Sequence, residues 1–123
     1  NDIGYFDERF FAYYEDVDFS IRLKSKGYSV AMMNDSYLKH FESASSKSIN
    51  QNEGNLLPYV HYLNIRNHIL LLNKHSKSFN TIGVILFQAI KILSYLIYFL
   101  IRFRFNKFKM VLKGLIDAIN FKK

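Results

Sequence analysis

Three carboxylates and an arginine crowd one short stretch, Tyr14 to Tyr28, which reads Y-E-D-V-D-F-S-I-R-L-K-S-K-G-Y. Glu15, Asp16 and Asp18 come first, Arg22 follows one turn later, Lys24 and Lys26 lie near the end, and Gly27 closes the run. Acids first, cations last and a glycine stop are the order of a short helix whose charges match its own dipole. On such a helix Glu15, Asp18 and Arg22 sit at steps of three and four, so they share a face and can pair. Asp16 lies roughly 100° round from Glu15, away from that arginine. A carboxylate held at a helix start without a counter-ion is what a general base requires. Dipole matching accounts for the same charge order, so the spacing allows proton abstraction and a purely structural role equally.

Other elements must position this helix, predicted over Glu15 to Lys26. Phe6, Phe10 and Phe11 follow helical spacing and predict a short packed helix before it. Tyr28 to Met33 alternates weakly between Gly27 and Asn34-Asp35 and reads as a strand; Ser36 to Phe41, with His40 near its end, reads as a second short extended piece. Glu42 to Asn55 is a polar loop of 14 residues, a length typical of functional lids or of disorder. Leu56 to His75 reads as a helix with Pro58 in its first turn. His61, His68 and His75 recur on it every seven residues, about 10.5 Å apart along the axis, which is too far for one metal ion.

After a break at Ser76 to Asn80, Thr81 to Ile101 is nearly all apolar and long enough to cross a bilayer core of about 30 Å. Gln88, Lys91, Tyr95, Tyr98 and Arg102 nevertheless fall at steps of three and four and form one polar stripe. A lysine near the middle of a span costs about 2.5–3.5 kcal/mol. The stripe therefore favours a helix in the membrane interface, or one packed in a helical hairpin, over simple spanning. Arg102 to Lys109 alternates cations with phenylalanines, a pattern suited to interfacial anchoring, and Met110 to Phe121 predicts a last amphipathic helix.

Composition narrows the class. The 123 residues suffice for one small domain, and 50% hydrophobic content with 17% aromatics excludes a disordered chain. The absence of cysteine excludes disulfides, zinc-thiolate sites and a cysteine nucleophile, and it fits a reducing compartment. Asn1 to Asp18 is acidic and lacks the apolar core of a secretory signal. Residues 1–75 carry 8 Lys and Arg against 9 Asp and Glu, whereas residues 76–123 carry 9 against 1. A basic surface interleaved with long apolar runs points to an anionic membrane face rather than to nucleic acid.

The run Gly4 to Tyr28, continuing through Asn34, Asp35 and His40 and reappearing at Tyr62 to Asn67 (Y-L-N-I-R-N), resembles the acceptor-side segment of the family-2 glycosyltransferases, especially their rhamnosyltransferase-like branch. The core E-D-x-D-x-x-x-R with a histidine 24 residues after Asp16 carries the resemblance, which covers residues 1 to about 75 and extends loosely beyond. It implies an α/β fold: the C-terminal half of a GT-A (Rossmann-like) domain over residues 1–75, followed by basic, hydrophobic membrane-associating helices over 76–123. It also implies that the nucleotide-binding half lies outside the chain, and the only D-x-D here, Asp16-Val17-Asp18, is not read as that half's metal motif.

By that resemblance the reaction is inverting transfer of a sugar from a nucleotide-diphosphate donor to a glycan or lipid-linked acceptor, in surface polysaccharide synthesis at the cytoplasmic face of the membrane. Asp16 would be the base, Glu15 would set the charge of the site and contact the acceptor, and Asp18 with Arg22 would brace the helix. His40 would help hold a divalent cation, Mn2+ or Mg2+, against the departing phosphates. Tyr62, Arg66 and Asn67 match a family signature. Arg66 suits a lipid phosphate, or equally a pairing with Glu53 or a cap on the preceding loop. The rival expectation is a non-catalytic membrane-bound interaction module with a basic amphipathic tail.

Overall fold

The computed structural model describes residues 2–31, 34, 35, 37 and 54–121. Its centre is the helix whose sequence shows the least amphipathic pattern. This helix, α2 (Pro58–Lys74), has neighbours on two sides, and its buried residues Val60, Leu63, Ile65, Asn67, Leu70 and Leu71 point to both. A helix apolar on more than one face is stable only when covered on more than one face. Pro58 opens it, where its missing N–H costs no hydrogen bond.

On one side of α2 lie α3 (Thr81–Ile101) and α4 (Phe105–Asn120), joined by the tight turn at Arg102 to Arg104. Ile65 of α2 meets Ile92 and Phe99 of α3 and Val111 of α4, with Ile69, Tyr95, Leu96, Phe108 and Leu115 packed around them. Each such fully buried side chain contributes about 1.5–3 kcal/mol relative to exposure. Gly114 lets α4 close on α2: a Cβ there would sit 2.7 Å from the Tyr62 carbonyl oxygen and 3.3 Å from Ile65 Cβ. Asn80 caps α3, its side chain accepting from the Gly83 N–H at 3.1 Å.

On the other side, the N-terminal segment folds over the C-terminal half of α2. Phe10 packs with Leu70 and Leu71, and Tyr14, Ile21 and Phe121 surround them. Helix α1 (Glu15–Ser25) carries the acidic cluster and ends one residue earlier than its charge pattern predicts. Gly27 ends it as expected, in the left-handed region at φ 83°. The Tyr28 N–H reaches the Leu23 carbonyl and the Gly27 N–H the Lys24 carbonyl, both at 3.1 Å, which is the Schellman arrangement.

The α/β expectation is overturned. Among the described residues there are helices and 3-10 turns and no β-strand, so this is an all-helical fold rather than part of a Rossmann-like sheet. Tyr28 to Ala31, predicted to begin a strand, have no regular structure, and Tyr28 and Val30 are exposed. Weak alternation cannot hold a strand without a partner to pair its backbone groups. Met32, Met33, most of Ser36 to Phe41 including His40, and most of the Glu42 to Asn55 loop lie outside the described residues.

Two further expectations need adjusting. Glu8–Phe10 is a single 3-10 turn, and only Phe10 of the three spaced phenylalanines is buried; Phe6 and Phe11 are exposed. Helix α4 begins at Phe105, five residues before the predicted Met110, because Lys107, Val111, Gly114 and Ala118 form one buried stripe against its neighbours.

Candidate functional site

Asp16 stands exposed in the first turn of α1. One oxygen, Oδ1, accepts from the Val17 N–H at 2.8 Å, and the carboxylate enters no ion pair among the described residues. Glu15 beside it is half-buried, and its Oε2 is buried with no hydrogen-bond partner among the described residues. Both carboxylates line an open cleft of ≈ 590 Å³ with Phe6, Asp7, Glu8 and Phe11. A buried carboxylate oxygen without a donor costs free energy. Glu15 was expected to share a face with Arg22; the arginine pairs with Asp18 alone of the two.

Asp18 is the brace the spacing predicts, and a stronger one. Its side chain is fully buried, with Arg22 Nε 2.9 Å from Oδ2, and Lys74 Nζ at 2.7 Å and His75 Nε2 at 2.8 Å from Oδ1. Burial alone would raise its carboxyl, but hydrogen bonds from Lys74, His75 and Arg22 outweigh that and hold it below the ordinary value. Arg22 also donates to the carbonyls of Ile3 and Tyr5, so one side chain ties the N-terminal segment to α1. Lys74 reaches onward to Asp7 at 2.7 Å. The Arg9 guanidinium holds the Asp7 carboxyl well below the usual range, against a contrary effect of partial burial and with help from Lys74.

The backbone entering α1 is strained. Phe11, Tyr13 and Tyr14 have φ of 60°, 68° and 72°, a region that residues with bulky side chains seldom occupy. Asn67, fully buried on α2, holds them there: its Nδ2 donates to the carbonyls of Phe10 and Ala12 at 2.7 Å and of Tyr13 at 3.1 Å. Arg66 donates to the Arg9 carbonyl at 2.6 Å and lies over the rings of Phe121 and Tyr62. Tyr62 donates its hydroxyl to Asp117 at 2.9 Å. The Tyr62, Arg66 and Asn67 signature is thereby given work that its spacing does not disclose: two of the three fasten the segment that leads into α1, and Tyr62 joins α2 to α4.

The three histidines spaced along and just beyond α2 part company. His61 packs edge-on against Tyr95 and Phe99; His68 stacks on Tyr14, its ring centroid 5.0 Å away, with Lys91 Nζ 2.8 Å from its Nδ1; His75 joins Asp18. Burial first, then the charges of Lys107 and Arg104, lowers His61 to about 4. Burial, then Lys91, lowers His68 to about 4. Among the described residues no three histidine or acidic side chains converge on a metal position. The divalent cation that the resemblance implies therefore rests here on His40, outside the described residues. In comparisons with known proteins, no family model matches this chain, and neither a curated protein nor a solved structure matches it.

Proposed function

We propose that this chain supplies the acceptor-binding, base-carrying side of an inverting glycosyltransferase, with Asp16 as the base. The observation that carries the reading is the placement of the exposed Asp16 carboxylate and the half-buried Glu15 in one cleft. Phe6 and Phe11 add exposed aromatic faces there, which suit the C–H face of a sugar ring while the carboxylates take its hydroxyls. Arg22, Lys74 and His75 engage Asp18, so Asp16 is left to act on a ligand.

In the reaction the acceptor hydroxyl oxygen bonds to the anomeric carbon as the bond from that carbon to the diphosphate breaks. Asp16 takes the hydroxyl proton as the new bond forms, and the nucleotide diphosphate leaves with the electron pair. Glu15 orients the acceptor. A bound divalent cation, with His40 among its ligands, would offset charge on the leaving phosphates. Donor binding is assigned to sequence outside these residues, as the resemblance implies. We place the acceptor, a glycan or glycolipid, at the cytoplasmic face of a membrane; in support, α3 is long and apolar enough to cross one.

The test is nucleoside-diphosphate release by the full-length protein from a panel of UDP-, GDP- and dTDP-sugars, with membrane-extracted glycolipid as acceptor. Asp16→Asn should lower turnover by about 10²–10⁴-fold, the usual worth of a general base, with unchanged thermal unfolding. Undiminished transfer would remove Asp16 from the mechanism and return the chain to its rival reading, a non-catalytic membrane-bound module.

A further inference from the structure

Helix α3 is patterned the wrong way round for a helix on a water-soluble bundle. Part of its polar stripe faces inward: Gln88 is buried, Tyr95 packs on the core, and Lys91 turns to His68, while Tyr98 and Arg102 at its C-terminal end stand exposed. Its apolar side faces out, with Ile82, Leu86, Ile90, Leu93, Ile97 and Ile101 each between 48% and 72% exposed. An apolar groove of ≈ 520 Å³ between α2, α3 and α4, lined by Ile85, Leu93 and Ile119 among others, runs beside this face. An exposed patch of this extent marks an interaction surface.

Charge names the occupant. Residues 76–123 hold 9 Lys and Arg against the single acid Asp117. Lys77 and Arg102 stand exposed at the two ends of α3, and Lys109 and Lys113 stand exposed along α4. Apolar side chains rimmed by cations fit a bilayer with anionic headgroups. The packing then fixes the orientation. Helix α3 runs antiparallel to α2 along much of its length, His61 meeting Tyr95 and Phe99, and His68 meeting Phe87. Among the described residues α3 is the one helix apolar enough to cross a membrane. An upright α3 would carry the partly exposed Arg66 and the exposed Lys113 of its neighbours to the depth of the hydrocarbon, where a charge is costly.

We propose that α3 lies in the plane of an anionic leaflet, its apolar face among the acyl chains and α2 and α4 on the water side. This deepens the membrane placement above and is independent of sugar transfer, so either can fail alone. The cysteine-free chain allows single-cysteine labelling without background. Nitroxides at positions 82, 86, 90, 93, 97 and 101 of the full chain, on phosphatidylglycerol–phosphatidylcholine vesicles, report depth through collisions with oxygen and with a nickel chelate. In-plane insertion expects one shared depth, about 5–10 Å below the headgroups, and binding weaker by about tenfold or more on phosphatidylcholine alone. A depth profile that deepens to the helix centre and rises again overturns the proposal in favour of spanning. Labels that stay nickel-accessible on vesicles, or become shielded only in a dimer seen by sedimentation, overturn it in favour of water or a second copy. Equal binding to neutral vesicles overturns the assignment to an anionic surface.

Discussion

Replacing Asn67 probes how the segment entering α1 is held, because this side chain joins α2 to the backbone leading into Asp16. Asn67→Ala removes three hydrogen bonds, to the carbonyls of Phe10, Ala12 and Tyr13. At about 0.5–1.5 kcal/mol each, the loss is about 1.5–4.5 kcal/mol. Some of it returns as the positive-φ residues relax, since each is worth about 1–3 kcal/mol of strain. The expected result is a net loss near 2 kcal/mol in denaturant unfolding in nonionic detergent, with faster amide exchange confined to residues 11–18. Asn67→Asp has a sharper signature. Its buried carboxylate would face three carbonyls and be driven toward its protonated form, so its folded pKa rises. The deficit relative to the native chain should therefore shrink as the pH falls below that raised value, where the protonated carboxyl can donate. A loss below about 1 kcal/mol for Asn67→Ala, with unchanged exchange at Tyr13 to Asp16, would refute the clamp.

Three other outcomes follow from the same packing. Gly114→Ala places a methyl 2.7 Å from the Tyr62 carbonyl oxygen, so α2 and α4 must separate; about 1–3 kcal/mol should be lost on thermal unfolding, and an unchanged midpoint would contradict the close approach. Asp18→Asn leaves Arg22, Lys74 and His75 around an uncharged group and should cost about 3–5 kcal/mol, seen as a lowered denaturant midpoint; a neutral effect would show that the cluster is dispensable. His61 and His68 stay neutral in the fold to about pH 4 but protonate near 6.5 when unfolded. The unfolded state then binds more protons across that window, so stability falls as pH drops from about 6.5 to about 4. Asp7 and Asp18, whose folded pKa values are depressed, lose their contribution at lower pH still, as acidification passes the ordinary carboxylate range. His68→Gln should flatten the upper part of this profile, and an unaltered profile would remove His68 from it.

The helices were legible because their signals are local. Pro58 at the first turn, Gly27 as stop and the uninterrupted run from Thr81 to Ile101 each act within a few residues of themselves. The Asp18–Arg22 pair was legible for the same reason, being one turn apart. What the spacing could not disclose is contact at long range. Lys74 and His75 join Asp18, and Asn67 joins the 10–13 backbone, across more than fifty residues, and only the packing of α1 on α2 brings them together. The strand predicted from Tyr28 onward fails over the described Tyr28 to Ala31 on the same ground, since alternation proposes a strand but only a partner makes one. The polar spacing on α3 was legible, yet which of its members turn inward depends on α2 and α4: Gln88 is buried and Tyr98 is exposed. Lys91 turns toward His68 rather than outward.

The most direct test is the distance from the Asp16 carboxylate to the acceptor hydroxyl, in a structure of the full-length protein with an acceptor sugar and a non-transferable donor analogue. A base within reach lies about 2.6–3.2 Å from that oxygen, or one water away, with the hydroxyl facing the anomeric carbon. An acceptor seated elsewhere, with Asp16 turned to solvent, would contradict the proposed catalytic role.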